Sequence, residues 1–169
     1  MEQAKKTNLT LFTLLALFST VISQLSGFWV NRWLAVGESH QVFSFLYMTH
    51  VRNFGGIFGF KQGSGWWFAA FAGVVLFGLV IYIWRTKDMV RLEYLCFACI
   101  IGGGLSNILD RFWYGSVIDY FDVRGIPHWH YIFNTADVLI HVGIWPMLIY
   151  SFFPRGEKTA EEPDAADQP

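Results

Sequence analysis

The sequence predicts an α-helical polytopic membrane protein, four transmembrane helices with a small β element on the outer side, and three observations predict it. Four apolar blocks each approach the length of about 20 residues that a bilayer crossing needs: Leu9–Val30, Gly65–Trp84, Leu92–Phe112 and Tyr131–Phe153. Trp29, Trp33, Trp66, Trp67, Trp84, Trp113 and Trp129 gather near the block ends, where indoles favour the water–lipid boundary. Between the first two blocks, QVFSFLYMTHVRNFGGIFGF alternates β-branched and aromatic residues with polar ones, and Gly55-Gly56 marks a turn or bulge.

The first block has a basic start and continues past Ser23, too far for a signal-peptide core, so it reads as a retained helix. The second carries no charge, and the third ends in polar residues. Residues 31–64 and 113–130 form two segments on one side of the membrane, and the β element is expected within 31–64. Residues 1–153 read as one domain. The tail 154–169 is acidic, holds three prolines and has no apolar period, so a disordered cytoplasmic tail is expected. With both termini cytoplasmic, the inner segments hold seven basic residues (Lys5, Lys6, Arg85, Lys87, Arg91, Arg155, Lys158) and the outer ones five. A net charge of −1 gives no field for a nucleic acid.

Polar residues then collect where apolar ones belong. GGGLSNILDRFWYGSVIDYF supplies Asn107, Asp110, Arg111 and Asp119, and FNTAD supplies Asn134 and Asp137. Asn107 and Arg111 are four apart and share a helix face, as do Asn134 and Asp137 at three apart. Counted from Tyr131, Asp137 falls about 9 Å along the fourth helix. A carboxylate at the centre of a membrane helix costs about 2.5–3.5 kcal/mol, whereas an interhelical hydrogen bond returns about 0.6 kcal/mol. Helix gluing alone therefore does not offset it. An interfacial Asp110–Arg111 charge pair is the structural alternative for those two residues.

Two carboxylates facing each other solve the problem differently. Asp119 and Asp137 cannot both ionise comfortably, so one keeps its proton and their apparent pKa values separate. One acid and one base are then available for peptide hydrolysis without metal or covalent intermediate. Asn107 and Asn134 would orient the carboxylates or a substrate backbone.

Three other signals read as structural. Gly102 and Ser106 form a small-xxx-small pair suited to close helix approach. Cys96 and Cys99 could serve a quinone-linked redox protein, but no second cysteine pair exists on the outer side, and they read as small hydrophobes. His50, His128 and His130 lack a zinc-ligand spacing, and His141, one turn after Asp137, reads as a packing residue.

At these residues the chain resembles the lipoprotein signal peptidase (signal peptidase II) family. The family pattern G-G-x-x-G-N-x-x-D-R resembles Gly102 to Arg111, with Ser106 in place of a glycine. V-x-D-F/Y resembles Val117 to Tyr120, F-N-x-A-D matches Phe133 to Asp137, and N-x-G-A-A-F resembles Asn53 to Phe58, with Gly56 and Ile57 in place of the alanines. The resemblance implies that Asp119 and Asp137 are the catalytic pair of an aspartic endopeptidase, without cofactor or metal. Asn53, Gly55, Asn107, Arg111 and Asn134 would position substrate or dyad. It further implies a bacterial inner-membrane monomer whose active site faces the periplasm under a β cradle. The substrate would be a prolipoprotein signal peptide, cut before a cysteine that already carries diacylglyceryl.

The first helix departs from the pattern. Where the family has D-Q-x-S/T-K, this chain has Ser23-Gln24-Leu25-Ser26-Gly27. Loss of acid and base together leaves no lone buried charge. A divergent enzyme with altered substrate handling is expected; the alternative is a paralogue that binds lipoprotein signal peptides, or a peptide antibiotic, without cutting.

Overall fold

A computed structural model describes residues 2–56 and 59–153 of the chain. The acidic tail anticipated at 154–169 lies outside the described residues. The elements are α1 (Glu2–Trp33), β1 (Ser39–Gln41), β2 (Leu46–Asn53), α2 (Gly65–Arg85), α3 (Arg91–Tyr114), β3 (Val117–Val123), β4 (Ile132–Phe133) and α4 (Thr135–Ser151). The three helices α1, α2 and α3 are long and apolar enough to cross a membrane, and α4 is a shorter apolar helix of 17 residues.

The fourth block does not begin as a helix at Tyr131. Ile132 and Phe133 pair with β3, and Asn134 caps α4, whose first helical residue is Thr135. Asp137 therefore lies in the first turn of α4 rather than about two turns inside it, because strand pairing satisfies the preceding backbone groups. At 1.5 Å per residue α4 spans about 26 Å, a little less than the hydrocarbon core of a bilayer.

The sheet is also broader than residues 31–64 alone. Its order is β1-β2-β3-β4, antiparallel throughout, and the second outer segment with the residues just after it supplies β3 and β4. Asp119 pairs with Val51 and Val117 with Asn53, with an irregularity in register between Met48 and Val51. Val30 of α1 packs against Ile118 and Tyr120, which fixes the sheet on the end of the bundle where α1 finishes.

α3 is the central helix, packed against α1, α2 and α4. Its three consecutive glycines each face a different neighbour, as successive residues about 100° apart on a helix must. A Cβ at Gly102 would fall 2.5 Å from Ser19 Cβ of α1, one at Gly103 would fall 2.4 Å from the Ala136 carbonyl of α4, and one at Gly104 would meet the Leu76 side chain of α2 at 3.1 Å. Gly102 is thus the close-packing residue its spacing suggested. At the end opposite the sheet Ile83, Tyr94, Phe97 and Ile101 form a core with Leu9 and Phe12 around them. Lys5 there donates to the carbonyls of Trp84 and Thr86, both at 2.9 Å, neutralising the negative end of α2.

α2 has only Gly65, Ala69 and Ile83 buried. A helix apolar all round and packed on one line belongs in lipid. Cys96 and Cys99 are free thiols buried in α3.

The glycine contacts predict a graded response. Gly103→Ala drives a methyl into backbone that cannot rotate away, and should cost about 1–3 kcal/mol of stability together with activity. Gly104→Ala meets only the flexible end of Leu76 and should be nearly silent. Thermal unfolding in detergent measures both.

Candidate active site

The start of α4 organises the site. Asn134 holds an extended backbone at the N-cap, and its side chain accepts the Asp137 N–H at 3.0 Å. The Asp137 carboxylate in turn accepts the Asn134 N–H at 3.2 Å through Oδ2. This reciprocal capping box satisfies two of the helix's unpaired N–H groups. It also leaves the Asn134 amide NH2 free to point outward. That group donates to Asp119 Oδ1 at 2.8 Å and to Asn107 Oδ1 at 3.1 Å.

Asp119 comes from the middle of β3 and is 4% exposed. Asn53, on the same face of the neighbouring strand, donates to its Oδ2 at 3.1 Å. Asn107 donates to Asp137 Oδ1 at 2.9 Å. Both carboxylates thus have both oxygens occupied, and the donors come from β2, α3 and the cap of α4. Every polar residue singled out from the sequence at this end of the bundle is in or beside this cluster.

Gly55 and Arg111 hold its rim. Arg111 donates to the carbonyls of Asn107 and Gly55, each at 2.9 Å, so α3 carries the turn after β2. A Cβ at Gly55 would lie 2.4 Å from the Phe60 carbonyl, so only glycine lets the chain pass there. The Arg111 charge reaches Asp119, Asp137 and Asp110. Asp110 and Arg111 are not a mutual pair. Asp110 accepts from Gln24 at 2.7 Å and from the Ile118 N–H at 3.1 Å, which ties the start of β3 to α1 and α3.

Burial first, and the charge of Asp137 second, push the Asp119 carboxyl up to about 7, against the opposing pull of the Asn53 and Asn134 hydrogen bonds. Asp119 is buried and Asp137 half-buried beside it, and two neighbouring carboxyls held apart in proton affinity could serve as the acid and the base of amide hydrolysis. His50 is buried with Nδ1 on the Leu34 carbonyl, His141 Nδ1 meets the Asp137 carbonyl at 2.8 Å and its ring stacks on Trp145.

Sequence alone gives no role to Gln24, Ser26, Tyr120 or Thr135; the fold joins Ser26, Tyr120 and Thr135 to one another and Gln24 to Ser106 and Asp110. Tyr120 lies beside Asp119 in sequence, and a tyrosine that is 1% exposed calls for a partner. That partner is visible only in three dimensions.

The family model for Signal peptidase (SPase) II matches residues 15–153. The chain belongs to the signal peptidase II family. A lipoprotein signal peptidase of Actinobacillus succinogenes is 35% identical over 163 residues, covering 94% of this chain and 98% of that one. One of Klebsiella aerogenes is 34% identical over 143 residues, covering 82% of this chain and 86% of that one. Among solved structures, a bacterial membrane enzyme determined by the in meso method at 2.3 Å resolution superposes with a TM-score of 0.79 at 25% identity, covering 90% of this chain and 94% of that one. Signal peptidase II membership and the apolar helices make this a bacterial membrane protein.

The first-helix departure from the signal peptidase II pattern leaves no charge stranded. Ser23 is buried, and Gln24 spans α1 to α3 through the Ser106 carbonyl, the Ser106 hydroxyl and Asp110. A Cβ at Gly27 would meet Ile118 Cδ1 at 3.9 Å and Asp110 Oδ2 at 4.0 Å, ordinary contacts. Ser106, in place of a glycine, supplies a hydroxyl that Gln24 uses at 2.9 Å.

The raised Asp119 pKa carries a sign for stability. A carboxyl that holds its proton more tightly when folded stabilises the protein below the unfolded pKa near 4, and that contribution is lost as pH rises through about 7. Asp119→Asn removes the titration. The melting temperature of the variant should therefore gain on the wild type from pH 5 to about pH 7 and level off by pH 8. Parallel melting curves across that range would remove the argument for a proton held at Asp119.

Proposed function

We propose that this chain is a membrane aspartic endopeptidase that removes signal peptides from diacylglyceryl-modified prolipoproteins, cutting before the lipidated cysteine. The observation that carries the reading is the joining of Asp119 and Asp137, from separate elements, through the single side chain of Asn134. Membership of the signal peptidase II family supports the substrate class.

In this reading Asp119 and Asp137 are the catalytic residues. Asp119 holds the proton and Asp137 is charged. Asp137 takes a proton from a water as its oxygen attacks the scissile carbonyl carbon, while Asp119 donates to the carbonyl oxygen. In the collapse of the resulting gem-diol, Asp119 recovers a proton from a hydroxyl and Asp137 gives its proton to the leaving amine. Both groups end as they began, so no external acid or base is consumed. Asn53, Asn107 and Asn134 hold the carboxylates, and Arg111 offsets the charge of the pair while Gly55 admits a close substrate backbone.

Depth matters as much as chemistry. A substrate anchored by diacylglycerol presents its scissile bond at headgroup level, and the short α4 brings Asp137 to that level. The basic residues favour cytoplasmic termini and a site facing the periplasm. The chain acts as a monomer, with the lipidated precursor and membrane lipids as its partners.

A gel-shift assay on a diacylglyceryl-modified prolipoprotein tests the reading. The wild type should cleave, and Asp119→Asn and Asp137→Asn should each lower kcat by at least about a thousandfold. Substrate binding with no wild-type cleavage would point instead to the non-cleaving paralogue.

Cleavage should also fall as pH rises past about 7, where Asp119 loses its proton. Asn53→Ala removes a donor that favours the Asp119 carboxylate, so its pKa rises and the descending limb moves to higher pH. A limb that moves down in Asn53→Ala would contradict the assignment of the acid.

A further inference from the structure

The two carboxylates stand on different elements, so their separation depends on what fixes β3 to the start of α4. The Asn134 side chain is one tie. A second lies behind it. The Tyr120 ring is 1% exposed, and its hydroxyl lies 2.6 Å from Ser26 Oγ of α1 and 2.6 Å from Thr135 Oγ1 of α4. The Thr135 N–H donates to the same hydroxyl at 3.1 Å. Ser26 Oγ bonds the Ser23 carbonyl at 2.8 Å and lies 3.1 Å from Thr135 Oγ1.

The protons of this cluster balance in one consistent chain. Ser26 donates to the Ser23 carbonyl, Tyr120 donates to Ser26, and Thr135 donates to Tyr120 through both its hydroxyl and its N–H. Each donor then has an acceptor, and one unpaired N–H of the first turn of α4 is satisfied. Tyr120 follows Asp119 directly, and Thr135 precedes Asp137 by two residues. Along β3, Asp119 and Tyr120 point to opposite faces, so the tyrosine grips α1 and α4 from behind while Asp119 faces the site.

We propose that the Tyr120 hydroxyl, clamped between Ser26 and Thr135, is a positioning residue that sets the spacing of Asp119 and Asp137. The inference rests on the proposed function for its kinetic consequence but not for its geometry. The pattern V-x-D-F/Y admits phenylalanine at this place; here the tyrosine is answered by hydroxyls from two helices, so it ties β3 to both α1 and α4. The clamp also gives α1 a neutral hold on the dyad end of the bundle, through Ser26.

Tyr120→Phe tests it. Loosening the pair should lower kcat about ten- to a hundredfold, and KM should not change, because the buried ring does not reach substrate. Weaker repulsion between the carboxylates should move the descending pH limb to lower pH. The other ionisable groups acting on the pair are Asp110 and Arg111 on α3 and His141 on α4, and each bonds to partners outside the clamp. Thr135→Val should reproduce the effect, and Thr135→Ser, which keeps the hydroxyl, should restore wild-type behaviour. Tyr94→Phe, at a buried tyrosine of the inner core, should leave the pH profile unmoved.

The pH dependence of the melting temperature reads the same spacing without turnover. In Tyr120→Phe the loss of stability between pH 5 and pH 8 should be smaller than in the wild type. That measurement applies even to a protein that does not cleave, so failure of the proposed function and failure of the clamp are separable. Unchanged kcat and an unchanged pH profile in Tyr120→Phe would overturn the clamp. So would full activity in Thr135→Val where Tyr120→Phe fails to fold, or a melting-temperature profile that stays wild type.

Discussion

The structure depends on one asparagine that caps a helix and holds a carboxylate on another element at the same time. Asn134 uses its oxygen for the Asp137 N–H and its amide for Asp119 and Asn107. A capping side chain is already immobilised by the helix it starts, so donors projecting from it are preorganised. Any shift of α4 along its axis would carry Asn134 with it and break its bonds to Asp119 and Asn107. Stability of the helix start and geometry of the candidate dyad are thus the same set of bonds.

That arrangement explains why the glycines lie where they do. The Gly103 contact with the Ala136 carbonyl sets the depth of α4 against α3, one residue from Asp137. α3 carries Asn107 and Arg111 one and two turns further along. A short side chain at the crossing point therefore controls whether Asn107 reaches Asp137. Packing in the apolar part of the bundle and polar geometry at its end are coupled through rigid helices.

The buried polar network is satisfied chiefly by neutral groups. Asn53, Asn107 and Asn134 surround the carboxylates, while Gln24 and the Ile118 N–H meet Asp110. Amides stabilise a carboxylate without extinguishing its proton affinity as a direct ion pair would. Arg111 spends its hydrogen bonds on two carbonyls and acts on the acids only through space. Ser23 and Gly27 in place of the family's acid and base fit this pattern, because Gln24 and Ser26 hold their partners without charge.

The sequence alone determined the apolar spans, since crossing lipid demands long unbroken hydrophobic runs that no other fold needs. It also singled out Asn107, Asp110, Arg111, Asp119, Asn134 and Asp137, since polar groups in such runs are costly enough to be conspicuous. Only the tertiary structure decided where α4 begins: the apolar count runs through Ile132 and Phe133 without a break, and pairing to a distant strand removed them from the helix. It alone drew β3 from the second outer segment and β4 from the residues after it into the sheet, gave Asp110 and Arg111 separate partners, and closed the Tyr120 hydroxyl on Ser26 and Thr135. Hydrophobic periodicity is a local property and survives in one dimension. Hydrogen bonds between elements far apart in the chain are directional, and their partners exist only once the bundle has fixed the backbones that carry them.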